Sequence, residues 1–285
     1  MELCADHIRK LHRYDIRILK SLEYLMERYA LVPLEEIASN TRLSQQEVDF
    51  RIRTLVELGM VRYKAIPYPG YALLFNGYDS LALYALTKKN IISSLGTIIG
   101  EGKESKVYEG MGLGTLVLKL HRIGQRSFHT IRKNRDLIPD KGHCPWIFAS
   151  RYSAEREYAA LTHLHQVISV PVPIAINRNC IAMSEIPGAT LNRCTLTEPE
   201  ETLATILNQT RIAFQNGYIH GDLSEYNIMF TGSKVVIIDW PQWVEPSHEN
   251  ANEILVHDIQ TVLAHFTRKY ACNITCSEAM EVVTQ

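Results

Sequence analysis

The sequence lacks any apolar run approaching the roughly 18 residues that a membrane span requires, which excludes a helical membrane protein. Its first ten residues, Met-Glu-Leu-Cys-Ala-Asp-His-Ile-Arg-Lys, lack the apolar stretch and small-residue cleavage site of a secretory leader, so a cytoplasmic chain with no membrane partner is expected. Cysteine is sparse: Cys4, Cys144, Cys180, Cys194, Cys272 and Cys276 are scattered along 285 residues, which argues against a disulfide framework. Cys272 and Cys276 are spaced like two ligands on a helix, but no second pair completes the tetrahedral set of a structural zinc site, so reduced thiols are expected. His121, His129, His143, His163 and His165 show no paired metal spacing and receive no role. An excess of charge of one sign is also missing, the net being -1, but the balance is uneven along the chain. Residues 1–143 hold 22 basic and 16 acidic residues, and 144–285 hold 8 and 15, so one half could face an anionic partner that the other repels.

What is present is a 46% hydrophobic fraction, ample for one large or two modest domains with packed cores. Ile16, Leu19, Leu22, Leu25 and Met26 recur at helical intervals, predicting a helix over Asp15–Tyr29 that Pro33 interrupts. A short helix Leu34–Ser39 and a turn at Asn40–Leu43 follow. Ser44 caps the next helix, with Glu47 placed to reach back, and Gly59 ends it. The core face of this helix is Val48, Ile52, Leu55 and Leu58, leaving Gln45, Gln46, Asp49 and Arg53 outside. Met60–Ile66 reads as a strand, Pro67-Tyr68-Pro69-Gly70 as a turn and Tyr71–Phe75 as the return strand. Three helices and a hairpin make a winged-helix pattern over residues 1–90, whose functional reading is nucleic-acid contact. The bland alternative is a protein-docking module or scaffold, because 13 basic against 11 acidic residues in that stretch leave a weak electrostatic footprint. Residues 81–96 read as a helix and a junction, with the domain boundary near Asn90.

Beyond Asn90 the texture changes to short strands and glycine turns. Thr97–Tyr108 reads Thr-Ile-Ile-Gly-Glu-Gly-Lys-Glu-Ser-Lys-Val-Tyr, two strands around glycines that let backbone N–H groups approach phosphate oxygens. A dinucleotide fold or a P-loop would pass from its glycines into a helix, whereas strand-turn-strand is how a protein kinase covers its nucleotide. In the strand Thr115–Leu120, Lys119 sits among apolar residues, where it is costly without an anionic partner. It reads as a phosphate contact or as a lysine snorkelling at a strand end. Ser153–Gln166 reads as a capped amphipathic helix that carries Glu157 toward Lys119, with Glu155 as the alternative partner.

Thr197–Gly217 is another expected helix, with Thr197 and Glu200 in capping-box spacing. It leads to Tyr-Ile-His-Gly-Asp222-Leu-Ser-Glu-Tyr-Asn227, and the strand Val235–Ile238 then ends at Asp239. Two acids and an amide at strand ends supply what phosphoryl transfer uses: a carboxylate for the attacking hydroxyl and two oxygen ligands, Asn227 and Asp239, for magnesium. Asp and Asn also cap turns singly, but all three in this order are poorly explained that way. His220, directly before Gly-Asp, reads better as a packed brace than as a general base.

On these residues the chain resembles the RIO family of atypical serine/threonine protein kinases, and within it the branch that joins a winged helix to a short kinase domain. The resemblance spans essentially the whole sequence and implies an α+β fold, an N-terminal winged helix followed by a truncated two-lobed kinase domain with lobes near 91–183 and 187–285. It implies that Gly100, Gly102, Lys103, Glu104, Ser105 and Val107 form the phosphate loop, that Lys119 is the ATP lysine, and that Phe148–Glu157 enters the regulatory helix. Met183, Glu185 and Ile186 would form the hinge meeting adenine through backbone groups. Asp222 would be the general base, or a phosphate acceptor if ATPase chemistry dominates, with Asn227 and Asp239 holding Mg2+ or Mn2+. Ser247-His248-Glu249-Asn250-Ala251 is a further signature like that branch's. Family members act in maturation of the small ribosomal subunit, which implies a ribosomal precursor, rRNA and proteins, as partner. The basic loop Arg122–Lys141, with six basic and two acidic residues, then supplies an autophosphorylation candidate in Ser127.

The sequence departs from ordinary kinases after Trp240: 45 residues follow, with no Ala-Pro-Glu segment, and Asn252–Tyr270 reads as one closing helix with Leu255, Ile259, Val262, Leu263 and Phe266 inward. ATP hydrolysis or self-phosphorylation is therefore expected more than peptide-substrate binding. The competing readings are a small-molecule phosphotransferase of the aminoglycoside-kinase type, which shares the His-Gly-Asp and Ile-Asp-Trp segments, and a nucleotide-sensing nucleic-acid-binding factor without turnover.

Overall fold

The structure is a computed structural model that describes residues 8–124 and 145–285. Ser127 and most of the basic loop lie outside the described residues. By contacts the chain divides into two units, residues 1–154 with 174–182, and 155–173 with 183–285.

The first unit opens with helices α1 (Arg13–Leu25), α2 (Leu34–Thr41) and α3 (Gln45–Glu57), followed by the hairpin β1 (Val61–Lys64) and β2 (Gly70–Leu73). This is the winged helix expected, and the buried Ile16, Leu19, Leu22, Leu25, Met26, Val48, Ile52 and Leu55 form its core. Several boundaries differ from the sequence reading. Helix α1 begins at Arg13 because His12 caps it, accepting from the Tyr14 amide while Asp15 takes the His12 amide at 2.7 Å. Ser44 caps α3 as expected, accepting from Glu47 N–H at 3.2 Å, but the Glu47 carboxylate turns to Arg51 at 2.8 Å instead of reaching back. The return strand stops at Leu73, and Phe75 already opens the 14-residue helix α4 (Phe75–Lys88). Helix α4 begins earlier than expected because it serves two cores. Tyr78 and Leu81 face the winged helix, and Ala82, Leu83 and Leu86 face the sheet that follows.

That sheet has the order β3-β4-β5-β7-β6, from β3 (Ser94–Glu101), β4 (Ser105–Met111), β5 (Thr115–His121), β6 (Pro173–Asn177) and β7 (Cys180–Ser184). Helix α5 (Pro145–Leu164) starts well before Ser153, so Ser153 is not a cap: its hydroxyl bonds the His121 ring at 2.9 Å.

The second unit holds β8 (Ala189–Thr190), α6 (Pro199–Gln215), β9 (Ile228–Phe230), β10 (Val235–Ile237), α7 (Ala251–Tyr270) and α8 (Cys276–Thr284). Helix α6 does not use the Thr197–Glu200 capping box. Pro199 supplies its first residue, where a missing N–H costs nothing, and Glu198 precedes it. The inward residues expected on α7 are all buried. Beyond the one closing helix expected, a further helix α8 follows, capped reciprocally by Thr275 and Glu278, and packs on α6 and α7. Cys180, Cys194, Cys272 and Cys276 are free thiols. Among the described residues no helix is long and apolar enough to cross a membrane.

Candidate active site

In the first unit, Gly100 to Ser105 spans the end of β3, a tight turn at residues 102–104 and the start of β4, closed by Gly102 N–H donating to the Ser105 carbonyl at 2.9 Å. Lys106 and Glu101 pair across it at 2.8 Å, which lowers the Glu101 pKa below the ordinary carboxylate value. A Cβ placed on Gly100 would meet Val107 at 3.5 Å and one on Gly102 would meet Ser105 Oγ at 3.8 Å, both ordinary contacts. Protein packing therefore does not demand these glycines. A bare backbone suits a ligand that must approach the turn. Lys119 sits opposite Val107 in the β4–β5 ladder and is 7% exposed, so it is not the snorkelling lysine of a strand end. The Lys103 and Glu104 side chains are part of the same turn.

The second unit assembles the acids. His220, Gly221 and Asp222 follow a break after α6, and Asn227 ends the loop just before β9. Asn227 Nδ2 donates to the Asp222 carbonyl at 2.7 Å and to Asp222 Oδ2 at 3.3 Å, so its amide nitrogen is spent on Asp222 and its oxygen is the atom suited to ligation. Asn227 N–H donates to Ser224 O at 3.0 Å, and Ile238 N–H donates to Asn227 O at 2.9 Å, tying the loop to the end of β10. Asp239 follows with φ 67°, a left-handed conformation uncommon outside glycine and characteristic of functional turns.

His220 is 3% exposed and braces this loop, as the sequence suggested. Its Nδ1 accepts from Asp222 N–H at 3.2 Å, which leaves Nε2 to carry the proton and donate to Ile238 O at 2.9 Å. The ring also packs against Trp240, with centroids 4.5 Å apart. Asp222 reaches solvent, yet partial desolvation, then the negative charges of Asp239 and Asp258, raise its pKa above the ordinary value, against the opposing influence of His220 and Asn227.

Three residues that sequence reasoning missed hold these groups. Asp258 on α7 is 1% exposed, and its carboxylate accepts Gly221 N–H at 2.8 Å and Leu223 N–H at 2.9 Å, one on either side of Asp222. Burial raises its pKa despite those two amides and the nearby His220. Arg156 on α5 donates from Nε to Pro241 O at 3.3 Å and from Nη2 to Trp243 O, and stacks 4.5 Å over the Trp243 ring. Gly221, at φ 81°, admits no Cβ, which would stand 2.6 Å from Gln242 O. An acid at a helical core position was the available signal for Asp258, since Asp258 interrupts the apolar face Leu255, Ile259, Val262.

Glu157 is 1% exposed, whereas Glu155 on the neighbouring face is exposed, so the inward acid is the one expected. Its Oε1 accepts the Trp240 amide at 3.4 Å, directly after Asp239. At the end of β7, Met183 is 5% exposed and Ser184 N–H donates to Val172 O at 2.9 Å; Glu185 is exposed and Ile186 half-buried. These are the residues expected to form the hinge, and they lie at the end of β7 and in the segment that follows it.

The RIO domain family matches residues 105–279, and the Rio2 N-terminal family matches residues 8–89. The RIO-type serine/threonine-protein kinase Rio2 of Methanocaldococcus jannaschii is 36% identical over 254 residues, covering 86% of this chain and 93% of that protein. Rio2 of Schizosaccharomyces pombe is 33% identical over 92% of this chain and 78% of the relative. That of Dictyostelium discoideum is 34% identical over 95% of this chain, which spans only 53% of the longer relative. The crystal structure of the Rio2 kinase-ADP/Mg2+-phosphoaspartate complex from Chaetomium thermophilum superposes with a TM-score of 0.84 at 29% identity, covering 100% of this chain and 90% of that one. The chain thus belongs to the RIO family, in the branch that carries the Rio2 N-terminal domain.

Proposed function

We propose that this chain is an ATP- and Mg2+-dependent serine/threonine protein kinase, with ATP hydrolysis and autophosphorylation within its reach. The observation that carries the reading is the Asp222–Asn227–Asp239 group: an exposed carboxylate fixed by its neighbours, beside an amide oxygen and a second carboxylate held at a strand end. Support also comes from the similar Chaetomium thermophilum structure, described as an ADP/Mg2+-phosphoaspartate complex.

Asn227 and Asp239 fit Mg2+ or Mn2+ because one carboxylate and one amide oxygen are the modest all-oxygen donor set by which such ions are held against substrate phosphates. When bound, the ion neutralises charge on the phosphates during transfer. In this reading the turn at Gly100–Ser105 covers the phosphates and Lys119 contacts them, Glu157 is the acid that serves the lysine, and Met183, Glu185 and Ile186 hold adenine. Asp222 takes the proton of a serine hydroxyl as that oxygen bonds to the γ-phosphorus and ADP leaves. With no hydroxyl in place, a carboxylate oxygen of Asp222 bonds to the γ-phosphorus as ADP leaves, and water then hydrolyses the acyl phosphate to inorganic phosphate and the free carboxylate. Ser127 is the candidate acceptor in autophosphorylation.

The partner proposed is a small ribosomal subunit precursor in the cytoplasm, engaged by rRNA and ribosomal proteins, with the winged helix as a nucleic-acid contact. The exposed Arg62, Tyr63, Lys64 and Tyr68 of the wing supply the cationic and stacking groups such a contact uses. The test is sedimentation with ribosomal precursors, with and without ATP, for the wild type and Asp222→Ala. Nucleotide-dependent co-sedimentation altered in Asp222→Ala supports the reading. Phosphate transfer to a small alcohol, with no ribosomal co-sedimentation, would replace it with a small-molecule phosphotransferase.

A further inference from the structure

Arg122 immediately follows β5, the strand that carries Lys119. Its backbone N–H donates to the Glu104 carbonyl at 2.7 Å, so its main chain is fastened to the glycine turn proposed to cover phosphate. Its side chain reaches the other way. The guanidinium donates from Nε to Asp79 Oδ2 at 2.8 Å, again to that oxygen from Nη2, and to Asn76 Oδ1 at 3.2 Å, with its plane near the Phe75 ring. Asp79, Asn76 and Phe75 all belong to α4, within the stretch matched by the Rio2 N-terminal family.

Asp79 is fully buried, and its second oxygen accepts Asn179 Nδ2 at 2.6 Å. The same Asn179 amide donates to His121 O at 2.8 Å, and His121 N–H donates to Asn179 O at 2.8 Å. Both residues at the end of β5 are thereby anchored to one aspartate on a winged-helix element. Burying an ion pair gains little stability over an apolar pair of similar volume, so packing alone gives a weak reason for this arrangement. What the pair supplies that apolar residues would not is direction: a planar fork held on a carboxylate sets the rotation of Arg122 and with it the height of Glu104.

We propose that Asp79 and Arg122 are positioning residues for nucleotide binding, through which a helix of the winged-helix domain holds the phosphate-covering turn in its binding geometry. The proposal rests on the reading of Gly100–Ser105 as that turn. A second arginine pair in the same unit provides the control. Arg178, in the β6–β7 turn, bonds Glu23 of α1 at 2.9 and 2.7 Å, tying the winged helix to the sheet without touching the glycine turn.

The experiment measures the affinity of the full chain for Mg-ATP and for adenosine, which has no phosphates, alongside thermal unfolding, in Asp79→Asn, Arg122→Lys, Arg178→Ala and Lys119→Ala. Asp79→Asn and Arg122→Lys are expected to weaken ATP about tenfold while adenosine changes less than about twofold. Arg178→Ala is expected to lower the unfolding midpoint but bind ATP as the wild type does. ATP affinity unchanged in both Asp79→Asn and Arg122→Lys, equal losses for ATP and adenosine, or an equal loss of ATP in Arg178→Ala would each overturn the proposal. Should Asp79→Asn fail to fold, Arg122→Lys, which keeps the charge and loses the fork, decides alone. Lys119→Ala separates the two readings: if it binds ATP like the wild type, the nucleotide site itself is misassigned. If it loses ATP while the Asp79 and Arg122 variants do not, only the positioning role fails.

Discussion

The carboxylate of Asp258 receives the amides of Gly221 and Leu223 at 2.8 and 2.9 Å, clasping the peptide on both sides of Asp222 from a helix 36 positions further along the chain. A buried acid with two backbone donors fixes its neighbours because leaving either donor unpaired carries a full desolvation penalty. The carboxylate proposed to react, Asp222, is thus set by a buried residue that bonds only the backbone on either side of it.

Asp258→Asn retains one acceptor oxygen and turns an NH2 group toward the other amide. Turnover is expected to fall about a hundredfold, the cost of a displacement near 1 Å at the reacting group, with ATP affinity little changed. Steady-state ATP hydrolysis beside equilibrium binding checks this, and an equal loss in both would contradict a positioning role.

The same residue gives a pH dependence of stability. Because burial raises the Asp258 pKa above its ordinary 3.8, the folded state binds the proton more tightly than the unfolded chain. The stabilisation from this group is complete below 3.8 and is lost as pH climbs through the raised folded value. Denaturant midpoints of the nucleotide-free protein should therefore move in favour of Asp258→Asn, relative to wild type, as pH rises across that interval. A gap that is flat, or that moves the other way, would count against the assignment.

Gly221→Ala places a Cβ against Gln242 O at a residue whose φ is 81°, combining a clash with an unfavourable backbone. The expected result is near-complete loss of phosphoryl transfer in a folded protein, read by activity alongside circular dichroism. Full activity would show that the loop tolerates a shift.

In the winged helix, Ile52 is fully buried and Phe50, two residues before it, is 64% exposed. Ile52→Ala should lower stability by about 2–5 kcal/mol, whereas Phe50→Ala should change it by less than about 0.5 kcal/mol. Urea denaturation distinguishes them, and comparable losses would mean that Phe50 is covered.

Much of this was legible in local pattern. The apolar spacing of Ile16 to Met26 and of Leu255 to Phe266 marked faces that are buried, and the placement of Glu157 rather than Glu155 followed from helix phase. What was not legible depends on partners distant in sequence. Ser153 looked like a cap because serine before a helical pattern commonly is one, but its hydroxyl serves His121 across the fold. Pro199 outweighed the Thr197–Glu200 box because its fixed φ already suits a first helical residue. Asp258, Asp79 and Arg156 left only the weak signal of a charge at a core position or near a turn, since Asp258 and Arg156 bond backbone groups and Asp79 bonds side chains far away in sequence, and no local motif records either.

The proposed role of Asp222 in Mg2+-dependent phosphoryl transfer is read by γ-phosphate release and transfer from labelled ATP by wild type and Asp222→Ala, each with Mg2+ and with excess chelator. Turnover is expected in the wild type only with Mg2+, and background levels in Asp222→Ala despite near-normal ATP binding. Unchanged turnover in Asp222→Ala, or wild-type turnover indifferent to chelation, would contradict that role.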